Sequence, residues 1–148
     1  MPTPTSNLDY KLEQAVINWL GATGTHSITI GVSSIVHDDA TDSAALPRIN
    51  VKAEVENEHL HNSGHYRCRV TVRLLTQADD TSLTTADGYW RNVRAILNWD
   101  DLRERLSDLT DFHCWLVIRD GGEITTTSER HHDRAYSFTA ICQAADNS

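Results

Sequence analysis

The sequence predicts an α+β fold: an antiparallel sheet with a long central hairpin, packed by an N-terminal helix and a central helix or helix pair. Three observations predict it. Apolar residues recur at helical spacing near the start and again in the middle of the chain. Strict two-residue alternation fills two long segments between them. The strand-like segments do not alternate one for one with helices, as a parallel sheet would require. With 148 residues, 39% apolar and 23% charged side chains, the chain fits one hydrophobic core and a single domain over 1–148.

Residues 1–6 carry two prolines among small polar side chains, which favours a flexible arm; residues 144–148 are read as a flexible end. Ser6 then acts as an N-cap with an acid, Asp9, three residues on. Leu8, Leu12, Ala15, Val16, Trp19 and Leu20 form an apolar stripe over a helix of about 7 to 20, ended by Gly21. From Ser27 to Val36 the β-branched run Ile28, Ile30, Val32, Ile35 and Val36 predicts one strand, and HDDATDSAALP a loop.

After Pro47, Ile49, Val51, Ala53 and Val55 alternate with Asn50, Lys52, Glu54 and Glu56. The stretch NEHLHNSGH breaks the pattern. It resumes with Tyr66, Cys68, Val70, Val72 and Leu74 opposite Arg67, Arg69, Thr71 and Arg73. Paired as a hairpin, these strands set the acids Glu54 and Glu56 near the arginines on a solvent face, where each cross-strand pair contributes on the order of a few tenths of a kcal/mol. A turn at 77–81 leads into a central helix over 83–98 with Tyr89, Val93, Ile96 and Leu97 on one face. Trp99-Asp100-Asp101 interrupts it before Leu102, Leu106 and Leu109 resume as a second helix or a kinked continuation. HCWLVIR, the Asp120-Gly121-Gly122 turn, EITTTSE and AYSFTAICQ supply two or three closing strands.

The residues offer little chemistry. Phosphate-binding glycine loops, a GxSxG elbow and a HExxH helix are all absent. Three widely spaced cysteines, Cys68, Cys114 and Cys142, sit in apolar alternation and read as buried thiols of a reducing compartment. His59, His61 and His65 share the hairpin loop, and His131-His132 precede Asp133 between the last strands; a metal site there is conceivable, but no pair lies at i, i+4 on a predicted helix. His113 reads as a half-buried strand residue. The acid pairs Asp38-Asp39, Asp79-Asp80 and Asp100-Asp101 read as turn and cap residues. Trp19 and Trp115 fit core positions, whereas Trp90 and Trp99 fit a protein interface. The expectation is no catalytic residue, no cofactor and no metal. A formal charge of −8 opposes wrapping of duplex DNA, which needs a basic footprint. MPTPTSNLDYKLEQ has no basic segment leading an apolar one, and no run approaches the roughly 18 apolar residues of a membrane span.

Several segments together resemble the tail-terminator and tail-completion (neck) proteins of long-tailed bacteriophages. They are the helix LDYKLEQAVINWL, the strand PRINVKAEVE, the strand YRCRVTVRLLTQADD, the helix beginning near Thr85 and the closing strand AYSFTAICQ. The resemblance implies a non-enzymatic homo-oligomer, a hexameric ring in the virion neck, made in the host cytoplasm. Such a ring ends the tail tube, docks the head connector or adaptor, and lets DNA pass through its lumen unbound. Tail-tube and head–tail adaptor subunits are the neighbouring alternatives, and a histidine-loop metal domain is the remaining one. The candidate subunit-interaction surface is the outer hairpin face: Lys52, Glu54, Glu56, Arg67, Arg69 and Arg73. The N-terminal arm and the 57–65 loop are further candidate contacts.

Overall fold

A computed structural model describes residues 5–21, 30–37, 47–58, 64–77, 83–98, 102–106, 112–119, 121–127 and 131–144. Among these residues, three helices cover one face of a six-stranded mixed sheet, an α+β architecture. Helix α1 spans Thr5–Leu20 and buries the whole predicted stripe from Leu8 to Leu20. It begins earlier than the predicted arm allows, taking in Thr5 and Ser6. First-turn N–H groups have no intrahelical acceptor, so polar residues there do not weaken the turn. Residues 1–4 of the expected arm lie outside the described residues. The Gly21 N–H bonds the Ile17 carbonyl at 3.0 Å and closes the last turn.

Strand β1, Ser34–His37, is shorter than the predicted 27–36 strand. Gly31 has a φ of 91°, outside the β region, so the extended run cannot pass through it; residues 27–29 lie outside the described residues. β1 pairs β2 in parallel, Ser34 facing Arg48 and His37 facing Val51, which corrects the expected all-antiparallel sheet. A tight turn between the two strands would have forced an antiparallel pair.

β2 (Arg48–Glu58) and β3 (Tyr66–Gln77) form the predicted hairpin, with a bulge between Val55 and Asn57. β3 then pairs along its whole length with β6 (His131–Ala144). β4 (Phe112–Ile118) and β5 (Glu123–Thr127) lie one after the other along the far edge of β6. Between them the backbone at Gly121 passes so close to Ser137 that a Cβ would overlap its carbonyl oxygen; only glycine fits. β6 starts earlier than expected, so His131, His132 and Asp133 are strand residues, not loop. Thr126 and Thr127 of β5 pair with Asp133 and His132 and hold that polar end in the sheet. Ala144, expected in the flexible end, is the last strand residue and faces Phe112.

Helices α2 (Leu83–Leu97) and α3 (Leu102–Leu106) realise the helix-pair alternative. Ala86, Trp90, Val93, Ile96, Leu97, Leu102 and Leu106 are buried, α2 lying against α1 and β6 and α3 against α1 and β4, with Phe138 among the fully enclosed residues. The Trp19 Nε1–H donates to the Ile96 carbonyl at 3.4 Å and ties α1 to α2. Two tryptophan readings reverse: Trp90 is core, and Trp115 is half exposed. Trp99 lies outside the described residues.

Candidate functional site: the open sheet face

Because strand side chains alternate, burying Ile49, Val51, Ala53, Cys68, Val70 and Val72 under the helices turns the intervening residues to the other face. Register places Asn50 opposite Arg73, Lys52 opposite Thr71 and Glu54 opposite Arg69. These six side chains line one groove of about 250 Å³. The face continues into β6, where Thr71 Oγ1 and Ser137 Oγ lie 3.1 Å apart.

Four of the six predicted surface residues, Lys52, Glu54, Arg69 and Arg73, therefore meet in the groove. Glu56 and Arg67 sit beside it, at the β2 bulge, with Arg67 Nε 3.8 Å from the Glu56 carboxylate. Lys52 Nζ lies 3.0 Å from Glu54 along the strand, and Arg73 Nε lies 3.4 Å from Asp133 of β6. The Lys52 and Glu54 side chains are 53% and 61% exposed, so water and salt screen the pair and it is worth about 0–1 kcal/mol to the fold.

The β4 edge has a different character. A bulge between Cys114 and Leu116 upsets the alternation there and leaves Trp115 and Leu116 exposed at 49% and 47%. Trp115 packs edge-on to His113, ring centroids 4.4 Å apart, and lies 5.2 Å from His65. Its Nε1–H donates to Gln143 Oε1 at 3.2 Å. Ile124 of β5 adds a further exposed apolar side chain on the same edge. Sequence reasoning missed this edge, because a bulge shifts side-chain parity without altering residue types.

On the helix side, Arg94 pairs with Glu123 and Arg134 with Asp87. Arg94 also lies over the Tyr136 ring, 3.6 Å from its centroid. The two ion pairs, with Trp90 and Arg91, line a cavity of about 400 Å³. The group clamps α2 onto β5 and β6.

Among the described residues the histidines do not gather into a ligand set. His65 and His113 belong to the Trp115 cluster, His132 lies in β6, and His59 and His61 fall outside the described residues, as do the acid pairs at 38–39, 79–80 and 100–101. Among the described residues no group of three His, Cys, Asp or Glu side chains is arranged to hold a metal ion, and no helix is long and apolar enough to cross a membrane. No protein-family model and no curated protein matches this chain.

Proposed function

We propose that this chain is a non-enzymatic assembly subunit that closes into a ring, and that the ring is the terminator at the head-proximal end of a phage tail. The observation that carries the assembly reading is the unequal finish of the sheet. Its helix-covered face is packed, while the other face presents the Asn50, Lys52, Glu54, Arg69, Thr71 and Arg73 groove and the β4 edge carries Trp115 and Leu116. The phage assignment rests on the sequence resemblance described above.

Two unlike patches on one subunit suit a head-to-tail contact, in which one patch of each copy meets the other patch of the next. Such contacts close into rings when the rotation between neighbours closes. The top face of the ring then differs from its bottom face, so one can seat on the tail tube and the other receive the head connector. A row of both charge signs fixes register between copies, since like charges brought opposite one another disfavour slipped pairings. The excess of acids, formal charge −8, suits a lumen through which DNA slides without binding.

Light scattering after size exclusion, with electron microscopy of the peak, tests the reading. A closed ring of about six copies, formed alone or on added tail tubes, is expected. Open-ended tubes would reassign the chain to tube subunits. A monomer that never assembles, even with tubes present, would sink the proposal. Charge reversal of Arg67 and Arg69 to Glu is expected to abolish assembly and leave the monomer folded.

A further inference from the structure

The three cysteines, 46 and 28 positions apart along the chain as read from their numbers, come together in the fold. Cys68, Cys142 and Cys114 lie on the adjacent strands β3, β6 and β4, all on the helix-covered face, fully buried and outside any disulfide. Cys142 stands between the other two and hydrogen-bonds with both. Its two relationships are unequal. Cys114 is its direct cross-strand partner, whereas Cys68 faces Ala140 and so lies diagonal to Cys142. Directly opposed antiparallel residues have Cα atoms about 4.5–5.5 Å apart, inside the roughly 4.4–6.8 Å window of a disulfide. Diagonal neighbours stand about 7–8 Å apart, outside it.

We infer that Cys114 and Cys142 form an oxidative modification site, in which a peroxide converts the pair to a cross-strand disulfide that fastens the β4 edge to β6 and leaves Cys68 as a thiol. The electrons and atoms balance with hydrogen peroxide as oxidant. The Cys114 thiolate attacks one peroxide oxygen, the O–O bond breaks, and the departing hydroxide takes up the proton that Cys114 shed and leaves as water, with Cys114 as a sulfenic acid. The Cys142 sulfur then attacks the Cys114 sulfur, the S–S bond forms, and the second oxygen departs as water with the Cys142 proton. Two thiols are oxidised by two electrons and one peroxide is reduced to two waters.

The environments of the two thiols suit these roles. The hydrogen bond with Cys142 lowers the Cys114 pKa, outweighing burial, with a smaller contribution from Arg103. Burial raises the Cys142 pKa well above its usual value, and its thiol neighbours add to this. Cys114 is thus the better nucleophile and Cys142 the partner that waits. Access comes through the edge: among the described strands β4 pairs only with β6, and a bulge begins at Cys114, so local opening of one strand admits a small oxidant.

The test treats the wild-type chain with hydrogen peroxide, then unfolds it, blocks remaining thiols with iodoacetamide and maps the cysteines by peptide mass spectrometry. Loss of two of the three thiols, with the bond mapped to Cys114 and Cys142 within one chain, is expected. A bond through Cys68, a bond between chains, or retention of all three thiols would overturn the inference. As a second readout, peroxide should raise the melting temperature reversibly with dithiothreitol, and C68S should behave as wild type. An unchanged melting temperature after complete oxidation would refute the fastening role.

Discussion

Glu13 of α1 reaches across to β2: its Oε2 accepts the backbone N–H of Ala53 at 2.8 Å. Among the described residues the parallel pairing of β1 with β2 runs to His37 and Val51, and Ala53, two residues on, gives its N–H to Glu13. The other Glu13 oxygen lies 2.8 Å from His37 Nδ1, and Gln14 Oε1 lies 3.0 Å from His37 Nε2. Tyr10 stacks on the His37 ring, centroids 4.4 Å apart. One carboxylate thereby holds the last residue of β1 and finishes the edge of β2.

Replacing Glu13 by Ala leaves a part-buried N–H unsatisfied and releases His37. A loss of about 1–3 kcal/mol is expected, read as a lower midpoint in urea denaturation. Glu13→Gln keeps one acceptor oxygen and is expected to cost less than Glu13→Ala.

Two glycines should respond with opposite sign to Ala. Gly31 has positive φ and a Cβ there would press into the Tyr89 ring, so Gly31→Ala is expected to destabilise by about 1–3 kcal/mol. Gly88 lies inside α2 with nothing near its Cβ position, and Gly88→Ala is expected to stabilise by about 0.5–1 kcal/mol. Thermal melts of the two variants beside wild type check both signs.

Gly121→Ala should act locally. With the Ser137 carbonyl blocking a Cβ, the link between β4 and β5 must move off β6. Faster amide exchange in 123–127 than in 66–77 is the expected signature in hydrogen-exchange mass spectrometry.

The ion pairs separate by depth. Lys52→Ala removes a screened surface pair and is expected to change stability by less than about 1 kcal/mol. Asp87→Ala strands Arg134, whose side chain is 11% exposed, and is expected to cost about 1–3 kcal/mol. Equal effects of the two substitutions in chemical denaturation would contradict this ranking.

The α1 stripe, the β2–β3 hairpin and its outward charges were legible because one wet face imposes a clean period on residue type. Lys52, Glu54, Arg69 and Arg73 were placed on one face by alternation alone. Their meeting in a groove depended on register, which the turn and the Val55/Asn57 bulge set. Other features carry no local signal. His131-His132-Asp133 reads as loop because its polar side chains hide an extended backbone whose partners are β3 and β5. Trp115 was misplaced by a bulge and Trp90 by its neighbours' polarity. The approach of Cys114 to Cys142 is a product of strand order, which periodicity does not encode.

The position of β6 also governs the order in which the sheet can be built. It follows every other described strand in the sequence, yet β3 pairs it along one side and β4 and β5 along the other. Until it emerges, the nascent chain carries β3 with one side open, an invitation to pair with a stranger. Arg67, Arg69 and Arg73, spaced every second or fourth residue along that strand, set repelling charges on any second copy that stacks there in register. The same arginines that mark the finished surface thus guard the unfinished one while it waits for its neighbour.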